Sequence, residues 1–102
     1  MSKALDLFTA VPRLHNCAQS VAAAKGGSAE LVAQMATQNA GRAPDGLCGA
    51  LYAALQFVPE DKRQGVIDAF GTALGETHCL ALKKLGVPCT KCVETADSLV
   101  RM

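Results

Sequence analysis

Residues 46–58 read GLCGALYAALQFV and lie in the longest stretch of the chain without a charged side chain. Its apolar residues recur every three or four positions, as they do on one face of an α-helix. They are Leu47, Cys48, Leu51, Ala54, Leu55 and Val58. Because Ala50 and Ala53 fill much of the remaining surface, we expect a helix that is buried on most sides. The stretch is shorter than the roughly 18 residues that cross a bilayer, so we expect no membrane insertion.

Helix signals continue on both sides of this stretch. Good N-caps stand at Asn16, Ser28 and Asp45, Pro12 ends a first helix, and Pro59 opens a later one. The predicted helices are 2–10, 17–25, 28–41, 46–58, 59–75, 79–85 and 89–100. The chain has eighteen Ala and twelve Leu but only eight Val and one Ile, a composition that favours helix over strand. We therefore predict a single all-α domain over residues 1–102, a compact bundle of six or seven short helices.

The charge and the amino terminus exclude several classes of protein. Ten basic and nine acidic side chains leave a net charge of +1, and the basic residues are scattered. Nucleic acid binding needs a clustered basic face, so we expect no nucleic acid partner. The first residues show no basic region followed by an apolar run, which favours a cytoplasmic protein.

Cysteine is the unusual residue of this sequence. There are five cysteines, an odd number that does not suggest a disulfide framework: Cys17, Cys48, Cys79, Cys89 and Cys92. In a reducing cytosol such residues more often bind metal or perform redox chemistry. Cys17, Cys48 and Cys89 fall near predicted helix starts, where the helix dipole is expected to lower the pKa of a thiol.

Cys89 and Cys92 form a CxxC motif at the head of a predicted helix. This motif serves a metal chelate, half of an iron–sulfur site, or a dithiol that cycles with a disulfide. A thioredoxin-like use normally has a βαβ context, which is missing here, and structural zinc normally has a second close ligand pair. His15 and His78 lie near cysteines, but we expect capping or surface roles for them rather than metal ligation. We find no catalytic constellation.

The order of the cysteines and their neighbours resembles a known family. The chain is similar to the redox-active protein family defined by four cysteines, one of them inside a CGAxxG motif (the C_GCAxxG_C_C family), over residues 5–99. The matching segments are 16–21 (NCAQSV), 41–42 (GR), 47–50 (LCGA), Phe70, 79–80 (CL), 89–91 (CTK), Val93 and Ala96. The chain departs from this pattern at Ala53, where the family has the final glycine, and at Cys92, which is an additional thiol.

The resemblance implies a ligand set and a cofactor. It makes metal ligands of the thiolates of Cys17, Cys48, Cys79 and Cys89, with Cys92 as a substitute ligand or a core residue. A related domain in a cytochrome is associated with an iron–sulfur cluster, which indicates the same cofactor here. Gly49 then either lets the backbone approach the bridging sulfides or lets two helices pack closely.

We therefore expect the cysteines to converge on one metal centre in a small redox or electron-transfer protein. The cofactor would be an iron–sulfur cluster, and the protein a non-enzymatic accessory carrier whose partner is a redox protein or an oxidoreductase. The alternatives are a thiol–disulfide protein that uses Cys89 and Cys92, and a zinc- or copper-binding module. A homodimer is an option for a helical domain this small.

Overall fold

The computed structural model describes residues 3–9, 15–38 and 46–100, and this part of the chain is built from helices. It contains seven α-helices, one 3-10 helix at Met35–Thr37 and no strand. The α-helices are α1 (Lys3–Thr9), α2 (Cys17–Ala24), α3 (Ala29–Gln34), α4 (Gly49–Leu55), α5 (Glu60–Leu74), α6 (Cys79–Lys84) and α7 (Cys89–Leu99). The all-α prediction is confirmed, while the predicted roles of Pro12 and Asp45 and the match at 41–42 lie outside the described residues.

Helix α4 occupies the centre of the bundle, as its apolar sequence predicted. Every residue of α4 except Tyr52 is buried, and the helix packs against α2, α5 and α7. Ala50, Ala53 and Ala54 are fully buried, and their small side chains let these helices approach closely. The fourth helix was predicted over 46–58, but α4 is shorter at both ends. It starts after Cys48, which is its N-cap, and residues 56–58 continue as turns with N–H groups bonded three residues back.

Most of the other predicted helix boundaries agree with the structure. Asn16 and Ser28 cap α2 and α3 through their side chains, and Gly75 ends α5 in the left-handed conformation (φ 91°). Pro59 is the N-cap of α5 and not its first helical residue. The third helix gives way to the 3-10 helix after Gln34.

A buried ion pair ties the two ends of the described chain to α2. Lys25 at the end of α2 lies 2.8 Å from Asp97 of α7, and both side chains are largely buried. The backbone N–H of Ala4 in α1 also donates to Asp97, at 3.3 Å. Loss of either charge would leave the other buried without its opposite charge, which is costly. Helices α1, α2 and α7 are thus held in a fixed arrangement on one side of α4.

Within the described ranges no helix has the length and apolar character that crossing a membrane requires.

Candidate functional site: a thiol-lined cavity

All five cysteines line a single cavity of about 540 Å³. Its walls come from α1, α2, α4, α6, α7 and the segments just before α2 and after α6. The lining residues are Phe8, His15, Asn16, Cys17, Gln19, Cys48, Gly49, Cys79, Leu82, Lys83, Val87, Cys89 and Cys92. Cysteines that are up to 75 positions apart in the sequence, Cys17 and Cys92, therefore share one space.

The cysteines meet because the beginnings of four helices border the cavity. Cys17, Cys79 and Cys89 are the first residues of α2, α6 and α7, and Cys48 is the N-cap of α4. Cys92 lies one turn after Cys89 on α7. The first turn of each helix carries backbone N–H groups without intrahelical partners, so the cavity is bordered by donors as well as thiols.

A capping box fixes the beginning of α2 and therefore Cys17. The Asn16 side chain accepts a hydrogen bond from the N–H of Gln19 (2.7 Å), and the Gln19 side chain accepts one from the N–H of Asn16 (3.0 Å). The Asn16 amide also donates to the carbonyl oxygens of Met35 (3.2 Å) and Ala36 (2.9 Å) in the 3-10 helix. Asn16 is thus a structural link between α2 and the segment that follows α3, and it also lines the cavity.

A short antiparallel contact joins the segments that lead into α4 and α6. Leu47 and His78 form an isolated β-bridge, and the backbone N–H of Cys48 donates to the carbonyl oxygen of Thr77 at 2.9 Å. This contact fixes the two segments from which the chain continues into α4 at Cys48 and into α6 at Cys79, and both of these cysteines line the cavity. Sequence reasoning missed it because a two-residue bridge has no periodic pattern.

Gly49 has no room for a side chain. A Cβ atom there would collide with the backbone carbonyl oxygen of Gln38 and would lie 3.2 Å from the Cys17 sulfur. The glycine therefore lets the chain after the 3-10 helix pack against the start of α4. It also leaves space beside the Cys17 thiol. The explanation by close packing is confirmed, and an approach of the backbone to bridging sulfides stays a prediction.

Burial dominates the acidity of the Cys17 thiol. Its pKa is raised to about 12, chiefly because burial removes solvent; the neighbouring Cys48, Cys89 and Cys79 thiols contribute to this rise, whereas the N–H of Ala18 opposes it. The expectation that a helix start would lower the pKa of Cys17 is wrong. One backbone donor does not offset desolvation inside a cluster of thiols.

Cys48 and Cys92 form a hydrogen-bonded pair. The bond to Cys92 raises the pKa of Cys48 and burial adds to the rise, although the N–H groups of Leu51 and Ala50 oppose it. The expected lowering at Cys48 is therefore also wrong. The same bond lowers the pKa of Cys92, because the Cys48 thiol donates its proton to a Cys92 thiolate. Of the two thiols, Cys92 is therefore the one that ionises first.

The CxxC motif is divided between the interior and the surface. Cys92 is buried (5% exposed) and touches the core, whereas Cys89 is exposed. None of the five cysteines, all of which lie in the described ranges, is in a disulfide. His15 lines the cavity, but His78 is exposed, contacts Thr77 and is not part of the lining.

The thiols surround the cavity without closing on a point. Among the described residues no group of three or more His, Cys, Asp or Glu side chains is arranged to hold one metal ion. Tetrahedral zinc with bonds of about 2.3 Å needs sulfurs roughly 3.8 Å apart. No such cluster of described side chains is present in the structure.

Three further residues of the cavity lining were not predicted as site residues from the sequence: Phe8, Lys83 and Val87. Lys83 adds a cation beside the thiols, and its position in the second half of α6 gave no signal of its own in the sequence.

Comparisons with known proteins leave the resemblance untested, because no family model, no curated protein and no solved structure matches this chain.

Proposed function

We propose that this protein is a small redox or electron-transfer protein whose cysteines bind an iron–sulfur cluster in the thiol-lined cavity. The observation that carries the proposal is the convergence of five thiols from four helices on one space of about 540 Å³. When bound, such a cluster supplies one-electron chemistry at a potential set by its surroundings. Four thiolates would hold such a cluster, and this chain brings five thiols to the cavity.

The ligand set we propose has three thiols that the resemblance assigns and a fourth that the structure helps to choose. Cys17, Cys48 and Cys79 lie at the starts of α2, α4 and α6, and all three line the cavity. For the fourth ligand the burial of Cys92 and its bond to Cys48 favour Cys92 over the exposed Cys89, which the resemblance had suggested. Cys89 also lines the cavity, as an exposed residue outside this ligand set.

The chain itself supplies the surroundings of the centre. The N–H groups of Ala18, Ala50 and Leu51 favour the ionised forms of Cys17 and Cys48. The small residues Gly49 and Ala50 keep the α4 side of the cavity free of bulk. Phe8 and Leu82 give it apolar walls that limit the access of water. A protein of this kind is an accessory carrier that works with a redox protein or an oxidoreductase, and we place it in the cytoplasm.

Two other functions use the same thiols differently. In a thiol–disulfide protein the reacting pair would be Cys89 with Cys92, or the hydrogen-bonded pair Cys48 and Cys92. The high pKa of Cys17 argues against its attack on a disulfide, because the thiolate is the nucleophile. In a zinc or copper module the same thiols would hold a single ion.

Anaerobic purification followed by visible absorption and analysis of iron, acid-labile sulfide, zinc and copper tests the proposal. We expect a brown protein with iron and sulfide in comparable amounts, and near-complete loss of both in Cys17→Ser and Cys48→Ser. Circular dichroism of each variant verifies that it is still helical. A colourless protein that holds zinc or copper supports the binding module. A metal-free protein in which only the thiols of one pair titrate together supports disulfide chemistry.

A further inference from the structure

The α6 rim is a surface beside the cavity mouth that combines exposed leucines with unpaired charge. We define it as Leu80, Lys83, Lys84 and Leu85 of α6 and its C-cap, together with the exposed Cys89 that begins α7. Among the residues that the structure describes, Leu80 (66% exposed) and Leu85 (59%) are the exposed large apolar side chains. Both belong to this rim, so the apolar exposure of the described surface is concentrated beside the thiols.

Helix α6 is joined only lightly to the rest of the bundle. Its contacts with the other helices are sparse, whereas α2, α4 and α7 pack closely together. Leu82 is the buried residue of α6, at 2% exposure, and it faces the cavity and the core. Leu80, Lys83 and Lys84 are spaced so that they share one side of the helix. This side has no neighbouring helix in the described structure that would cover it.

The charge of the rim is uniformly positive. Residues 79–91 contain Lys83, Lys84 and Lys91 and neither Asp nor Glu. Neither Lys83 nor Lys84 forms an ion pair within the described ranges, and Lys91 has only a long surface contact with Glu94, at 3.7 Å. The chain as a whole is nearly neutral, so this local excess is set against a mixed background. Such a patch attracts an acidic surface and repels a basic one.

We propose that the α6 rim is the docking surface for an acidic protein, with Leu80 and Leu85 at the centre of the contact and Lys83 and Lys84 paired with carboxylates. The identification of this partner as a redox protein rests on the proposed function. Two residues of the α6 rim, Lys83 and Cys89, also line the cavity. A protein docked on the rim therefore lies directly against the thiol-lined cavity. An apolar centre with charges around it is the usual anatomy of a transient interface.

The test measures binding of a surrogate partner to the full chain. The probe is an acidic plant-type ferredoxin, and basic cytochrome c serves as the opposite-charge control. The ¹⁵N-labelled chain is titrated at low and at high salt, both metal-free and after loading with iron and sulfide. We expect amide shifts confined to residues 79–91, weakening at high salt, and no response to cytochrome c.

Two matched variants locate the contact. Lys84→Glu should weaken ferredoxin binding by about 10-fold or more, whereas Lys62→Glu, the same charge change on the exposed surface of α5, should leave it within about 2-fold. Leu80→Gln should also weaken binding. Absence of ferredoxin binding, equal sensitivity to Lys62→Glu, or shifts in 79–91 that depend on the concentration of the chain alone would overturn the proposal. The last result would mean that a second copy covers the rim.

The readouts separate this surface from the proposed function. Iron and sulfide content reports on the cavity, and the titration of the metal-free chain reports on the rim. A chain that binds ferredoxin through Lys84 but takes up no iron refutes the cluster and leaves the docking surface intact. A chain that forms the cluster but does not respond to the acidic probe refutes the docking surface alone.

Discussion

The inner wall of the cavity and its rim carry the same reactive residue in opposite surroundings. On the inner wall, Cys17, Cys48 and Cys92 are partly or fully buried and stand on α2, α4 and α7, which pack tightly against each other. At the α6 rim, Cys89 is exposed and α6 is lightly held. The contrast teaches that packing fixes the positions of the inner thiols, while the Cys89 thiol remains accessible. A rigid wall with an accessible edge suits a centre that must be held firmly and also reached by a partner.

The two cysteines of the CxxC motif give the largest expected contrast. Cys92→Ser should remove most of the bound iron and sulfide. The affinity for the cluster should fall by more than the roughly 10–100-fold that changes next to a metal ligand produce. Cys89→Ser should retain most of both, because Cys89 is exposed at the mouth. Metal analysis of the two anaerobically loaded variants checks this. Greater loss in Cys89→Ser would restore Cys89 as the fourth ligand and would contradict our ranking of inner wall over rim.

Two leucines of α6 sharpen the same comparison through stability. Leu82→Ala should lower the free energy of unfolding by about 2–5 kcal/mol, since Leu82 is buried in the core. Leu80→Ala should change it by less than about 0.5 kcal/mol, because Leu80 is mostly exposed. Urea unfolding followed by circular dichroism gives both values. A large cost at Leu80 would show that the rim is covered in solution.

Two glycines test whether the inner wall has any spare room. Gly49→Ala should cost about 1–3 kcal/mol, because its Cβ meets the backbone of Gln38 and the Cys17 sulfur. Gly65→Ala, on α5 where no atom lies within 4 Å of a new Cβ, should instead stabilise the protein by about 0.4–1 kcal/mol. Thermal unfolding of the two variants beside the parent chain measures the difference. Equal effects at both positions would mean that the start of α4 relaxes freely.

The titration of Cys17 gives the smallest expected effect. Its pKa is about 12 in the folded chain and lower in the unfolded chain, so the unfolded state releases this proton first as the pH rises. The Cys17 contribution to the stability of the metal-free, reduced protein is complete below the unfolded pKa and is lost towards pH 12. By pH 10 the loss should be on the order of 1 kcal/mol relative to pH 8. Urea unfolding at the two pH values measures it, and Cys17→Ser should show a smaller fall. If the stability of the parent chain falls between pH 8 and pH 10 by no more than that of Cys17→Ser, the burial of this thiol is contradicted.

The helices of this protein were largely predictable because their signals are local. The capping residues Asn16 and Ser28, the glycine at 75 and the spacing of apolar residues in α4 act within a few positions of the chain. The end of α4 was less predictable, since 3-10 bonding over 56–58 follows the same apolar pattern as a longer helix. A sequence pattern does not distinguish these two continuations.

The candidate site was predictable in its residues and not in its arrangement. The five cysteines stand out by type alone, yet their convergence depends on the bridge between Leu47 and His78 and on packing around α4. The pKa values of Cys17 and Cys48 were predicted in the wrong direction, because burial at Cys17 and the bond to Cys92 at Cys48 are tertiary effects that outweigh the local helix start. The bond between Cys48 and Cys92 joins residues 44 positions apart, and nothing in the sequence around either residue indicates it.

Iron X-ray absorption of the anaerobically loaded protein tests most directly whether the cysteine thiols of the cavity bind one iron–sulfur cluster. Our account predicts a first shell made of sulfur and a second shell that contains iron neighbours, with both signals lost in Cys48→Ser. A first shell of nitrogen and oxygen, or iron atoms with sulfur ligands but no iron neighbour, would contradict it.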